Sequence, residues 1–127
     1  MYEKDYIMRL IGEMVRMLLK LLFHMDTEAP AEELLKESEQ KENLEILLDM
    51  VDRGNINEAE NRVWERISEG GPGALETALV FYSCLNDKTD DFLAEHDFSR
   101  EEIKDGLERI ASRCGLEGLA SAFLEDI

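Results

Sequence analysis

The chain has no surplus of basic residues, hardly any cysteine or histidine, and no apolar run fit to cross a bilayer, and each lack removes a class of function. Fourteen lysines and arginines face thirty aspartates and glutamates, a formal charge of −16. No basic stripe is present to release counterions from a phosphate backbone, so no nucleic-acid partner is expected. Cys84 and Cys114 stand far apart, with no CxxC and no histidine at ligand spacing. Neither a zinc knuckle nor a disulfide framework fits; two buried free thiols in a reducing cytoplasm do. Near the N-terminus apolar runs stop at three residues, as in Met17-Leu18-Leu19 and Leu21-Leu22-Phe23 either side of Lys20, where a membrane span needs about 18. No secretory core or cleavage site is evident. The chain reads as soluble and cytoplasmic, with no cofactor and no membrane-spanning segment.

What is present is helical periodicity. No two-residue alternation is sustained, and no Asn-Gly or Asp-Gly turn sits between β-branched runs. At 127 residues the chain suits one domain that buries roughly two-thirds of its unfolded surface. The expected fold is all-α, a compact array of six to seven antiparallel helices. Residues 1–127 form one helical domain: 1–25 a very apolar N-terminal helix, 26–43 an acidic linker or arm, and 44–127 a core of helical hairpins.

Along the chain, the first helix is expected from Glu3 to His24, and a link at Thr27–Pro30 leads into a second helical region, Ala31 to Arg53. That region is charged from Glu32 to Glu42. It turns core-like at Leu44, Leu47, Leu48 and Val51, which share one face, and Gly54 suits a left-handed C-terminal cap. A third helix runs from Ile56 to Ser68 and a glycine-proline loop follows to Gly73. The fourth, Ala74 to Leu85, is apolar over about half its surface and belongs at the centre. Thr89 caps a short helix to Glu95, Ser99 with Glu102 makes a capping box for Arg100–Arg113, and Gly115 closes it ahead of a short amphipathic segment, Leu116–Leu124.

The stretch RLIGEMVRMLLKLLF, residues 9–23, is greasier than a surface helix requires. With Arg9 at zero and 100° per residue, Asp5, Gly12, Glu13, Arg16, Lys20 and His24 fall within about 60° on either side. Nearly everything else is apolar, with Phe23 landing among the charges. One seam is Ile7, Ile11, Met14, Leu18, Leu21 and Met25. Leu10 and Met17 flank it on one side; Met8, Gly12, Val15, Leu19 and Leu22 flank it on the other. Leaving four such side chains wet forfeits about 1.5–3 kcal/mol each, so the helix needs cover from its own chain, from a second copy, or from a membrane surface or unrelated protein. Charge bears on that choice. Residues 1–25 carry four basic and three acidic groups, a balance of +1, and the remaining ten basic and 27 acidic residues give −17.

Candidate chemical sites are few. Asp87, Asp90, Asp91, Glu95, His96 and Asp97 cluster in sequence, but their spacing matches neither a calcium loop nor a Glu-x-x-His di-metal pattern, and the aspartates suit a helix first turn. His24 has no serine or cysteine at nucleophile spacing. Trp64 and Tyr82 sit on helix faces as core anchors or as the lining of a pocket. GGPG has neither the preceding strand nor the following lysine of a phosphate loop. No catalytic, cofactor or metal residue is assigned.

The segment GNINEAENRV, residues 54–63, resembles the turn and second-helix start of a tetratricopeptide repeat, with Gly54, Ile56 and Ala59 at that family's glycine, apolar and small positions and Pro72 near its usual end. Leu47 and Arg66 depart from it where small residues are usual. The resemblance implies a helical hairpin over residues 44–72, and one unit makes no solenoid. DYIMRLIGEMVR, AEN, FYSCLN and FSREEI together resemble a family of short, uncharacterised, all-helical bacterial proteins of unknown function; it implies no activity or cofactor. The chain is therefore expected to be a non-enzymatic protein-interaction or scaffold protein. Its partner is a protein, itself in a homodimer, joined through Met8, Gly12, Val15, Leu19 and Leu22. The alternatives are a peripheral membrane module using the N-terminal helix and a metal-dependent enzyme using residues 87–97.

Overall fold

The computed structural model describes residues 2–23, 38–71, 73–116 and 118. His24, the Thr27–Pro30 link, most of the acidic arm, Pro72 and the expected segment beyond Leu116 lie outside those residues apart from Gly118. Six helices and no strand occur among the described residues: α1 Tyr2–Phe23, α2 Ser38–Asp52, α3 Ile56–Ser68, α4 Ala74–Asn86, α5 Asp90–Glu95 and α6 Arg100–Arg113.

Helix α4 is the centre, packed against α1, α2, α3 and α6. Its residues from Thr77 to Tyr82 are buried without interruption, as are Cys84, Leu85 and Asn86. So broad an apolar surface needs more than one neighbour, so the others gather round it. Of the two thiols, Cys84 is buried and Cys114 half-buried.

Helix α1 is amphipathic rather than the very apolar rod expected from its sequence. Ile11, Met14, Val15, Leu18 and Leu19 enter the core, while Arg9, Glu13, Arg16 and Lys20 line an exposed strip. The acidic arm expected over 26–43 is already helical from Ser38.

Local signals set most boundaries. Gly54 has φ 91°; its N–H reaches the Val51 carbonyl at 2.9 Å and the Asn55 N–H the Met50 carbonyl at 2.8 Å, the paired bonds of a Schellman ending. The Thr89 hydroxyl accepts from the Phe92 N–H, and the Ser99 hydroxyl from the Glu102 N–H.

A buried arginine joins the elements that these local rules leave separate. Arg100 is 8% exposed. Its Nε donates to Asp90 Oδ1 at 3.1 Å, Nη1 to the Asn86 carbonyl at 2.9 Å, and Nη2 to the Lys88 carbonyl at 2.7 Å. Asn86 Nδ2 in turn donates to the Met8 carbonyl at 2.8 Å. The end of α4, the starts of α5 and α6, and the first half of α1 are thereby fixed at one point.

Candidate functional site

The aspartate cluster does not gather into a metal centre. Among the described residues no group of three or more histidine, cysteine or carboxylate side chains could hold an ion. Asp90 is committed to Arg100, and the His96 ring packs edge-on to Phe92 with centroids 4.7 Å apart. Nor is any described helix long and apolar enough to cross a membrane.

The half-buried Trp64 faces the fully buried Tyr82. Trp64 Nε1 donates to Tyr82 Oη at 2.9 Å, and Tyr82 Oη donates to Glu60 Oε2 at 2.6 Å. The Arg109 guanidinium lies over the indole, 3.9 Å from its centroid, a cation–π contact that closes the network. Burial and the adjoining Glu60 carboxylate drive the Tyr82 hydroxyl far above its ordinary value. Burial also raises the Glu60 carboxyl, opposed by the bond it accepts from Tyr82. Bonded to one another around the buried Tyr82, these groups hold α3, α4 and α6 in register.

The N-terminal seam divides. Val15 and Leu19 are buried in their own chain's core, Met8, Gly12 and Leu22 are half-buried, and the Met8 carbonyl and the Gly12 position face Asn86. No partner reaches Val15 or Leu19 without opening the fold, because that side of α1 lies against α4. The apolar surface left outside is the opposite flank. Tyr6 is 42% and Leu21 52% exposed, with Leu10 and Met17 half-buried between them. Spacings of four, seven and four residues place all four within about 60° of one another.

A second surface feature lies between α2 and α3, a groove of about 540 Å³. Ile46, 52% exposed, and Leu47 form its apolar side; Asn43, Asn61, Arg62 and Arg66 supply donors, and Glu58 and Glu65 carboxylates. The Nε of Arg66 is buried and has no hydrogen-bond partner, alone in this among the described side-chain atoms. Nothing in the sequence reading marked this groove. The available signal was Arg66 itself, a long charged residue where the tetratricopeptide pattern has a small one.

A family model described as a family of unknown function, DUF6483, matches residues 1–115. The chain belongs to that family. The match ends at Gly115, which follows α6, so all six described helices lie within the DUF6483 region. No curated protein and no solved structure matches the chain.

Proposed function

We propose that this DUF6483 protein is a non-catalytic, single-domain association module that pairs with a second copy through the Tyr6–Leu10–Met17–Leu21 flank of α1. One observation carries the proposal: large apolar side chains stay exposed on the helix with the least net negative charge. Residues 26–127 carry −17 and residues 1–25 carry +1, so two copies repel through most of their surface and least through α1. The α2–α3 pair fits the role of a tetratricopeptide-like hairpin, supported by Gly54 in its left-handed turn and by buried Ile56 and Ala59.

Magnitudes make the pairing weak. Covering the half-exposed Tyr6 and Leu21 and the less exposed Leu10 and Met17 on two copies recovers at most about 5–10 kcal/mol, against about 4–15 kcal/mol for the lost freedom of two molecules. Sedimentation equilibrium from micromolar to millimolar protein tests it. A monomer–dimer equilibrium abolished by Leu21→Glu is expected. A strict monomer at every concentration overturns the proposal. Leu21 is the informative position, since a charge at the buried Leu19 unfolds the core instead of exposing a contact.

A further inference from the structure

We infer that the two copies lie antiparallel and that Leu21 of each enters an apolar pocket of the other, lined by Ile7, Leu93, Ala94 and Phe98 where α1 meets α5 and the start of α6, a geometry that rests on the α1 pairing proposed above.

Three observations converge. The first is the symmetry of the flank, in spacing and in charge. Tyr6 and Leu21 stand equally far from a point between Glu13 and Met14, and so do Leu10 and Met17. In a two-fold interface residue i meets j wherever j meets i, so one axis through that point sets Tyr6 on Leu21 and Leu10 on Met17 at both ends together. Residues 1–13 hold Lys4 and Arg9 against Glu3, Asp5 and Glu13, a balance of −1; residues 14–25 hold Arg16 and Lys20 and no acid, a balance of +2. Antiparallel pairing sets the acidic half on the basic half, whereas parallel pairing sets like on like.

The second is what the pocket accepts. Its volume is about 260 Å³, below the range of about 300–1,000 Å³ for small-molecule sites and on the scale of one side chain. Leu93 and Phe98 are buried and Ile7 is half-buried, which makes its lining apolar. The charges that border it cancel in pairs, Arg100 with Asp90 at 3.1 Å and Lys104 with Glu101 at 3.4 Å. An ionic ligand has nothing to pair with there; an aliphatic group has.

The third is the occupant. Leu21 is 52% exposed, and at 100° per residue it stands about 30° from the middle of the flank, on the side of Ile7. A two-fold axis perpendicular to both helices keeps that side common to the two copies, so Leu21 of one comes level with Tyr6 and Ile7 of the other and leans toward the pocket. Within one chain about 21 Å of helix separates Leu21 from Ile7. Only a second copy can bring the two together.

Disulfide trapping reads the orientation. Full-length Tyr6→Cys and Leu21→Cys chains, both also carrying Cys114→Ser and one of them nitrogen-15 labelled, are mixed and oxidised, and the masses of the covalent dimers tell which cysteines have joined; Cys84 is buried. In an antiparallel pair, a mixed disulfide at one end leaves the native Tyr6 and Leu21 to meet at the other. The expected result is mixed disulfide in excess of the half that random pairing gives. Mixed disulfide at or below that half overturns the antiparallel geometry and leaves the pairing of α1 standing. Ala94→Gln, at an exposed position on the pocket, adds bulk and polarity without charge and is expected to weaken dimerisation by about tenfold or more in sedimentation equilibrium. Unchanged or tighter association overturns the place of Leu21 in the pocket. A parent chain that stays monomeric at every concentration overturns the pairing and this geometry together.

Discussion

Arg100 closes on Asn86 at two places at once, with Nη1 2.9 Å from the main-chain carbonyl and 3.1 Å from the side-chain oxygen. Because Asn86 also holds the Met8 carbonyl, removing the guanidinium leaves buried acceptors on the α4–α5 connection and loosens the seat of α1. Arg100→Met is expected to cost about 2–4 kcal/mol, because the Asn86 and Lys88 acceptors lose their donor. Asp90→Asn, at a half-buried carboxylate, should cost about 1 kcal/mol. Urea midpoints for the two variants check the ranking. Equal losses would mean that the ion pair matters more than the carbonyl bonds.

Two helical glycines should respond with opposite signs. A Cβ on Gly106 would stand 2.3 Å from Tyr82 Cζ, and that ring cannot retreat without breaking its bonds to Trp64 and Glu60. Gly106→Ala is expected to lose about 1–3 kcal/mol through overpacking. A Cβ on Gly12 meets only Asn86 Nδ2, at an ordinary 3.9 Å, so Gly12→Ala should gain about 0.5–1 kcal/mol of helix propensity. Thermal midpoints read both. Pairing through the Tyr6–Leu21 flank further requires that Gly12→Ala leave self-association unchanged; weakened association would return the interface to the seam containing Met8 and Gly12.

The contrast between these glycines shows what the sequence could and could not reveal. The central place of α4 was legible because so broad an apolar surface needs several neighbours, and the Thr89 and Ser99 caps were legible because the oxygen and its N–H partner lie three residues apart. The covered side of α1 was not. A helical wheel delimits an apolar arc, but which seam is covered depends on α4 and α6, reached through contacts such as Asn86 to Met8, 78 residues apart. Arg100 likewise looks like a solvated first-turn charge until α4 and α5 close round it. Arg66 showed only as a misfit to a repeat pattern, and the burial of its Nε appears only in the fold.

Salt distinguishes an apolar interface from an ionic one. At a net charge of −16 two copies repel, and the Debye length shortens from about 30 Å at 0.01 M salt to about 8 Å at physiological strength. Self-association through the flank of α1 is expected to tighten over that interval. Sedimentation at the two salt concentrations provides the check, and weakening on salt addition would show that charge pairs, not Tyr6 and Leu21, hold the copies together.

Glu60 gives a pH dependence with a definite sign. Burial, the largest influence, lifts its carboxyl above the ordinary 4.5; Glu102 and Asp105 add to the rise, and the Tyr82 hydrogen bond and Arg109 oppose it. Between the ordinary and the raised value, the folded protein therefore keeps a proton that the unfolded chain has released. Stability must fall as pH rises through that window and level off above it. Glu60→Gln retains an oxygen to accept from Tyr82 and has no proton to lose, so it should remove this part of the slope and be at least as stable as the parent at neutral pH. Urea midpoints of both proteins from mildly acid to neutral pH measure the difference. A variant that is less stable at neutral pH, with an unchanged slope, would show instead that the charged Glu60–Tyr82 bond at 2.6 Å contributes more than burial of the carboxylate costs.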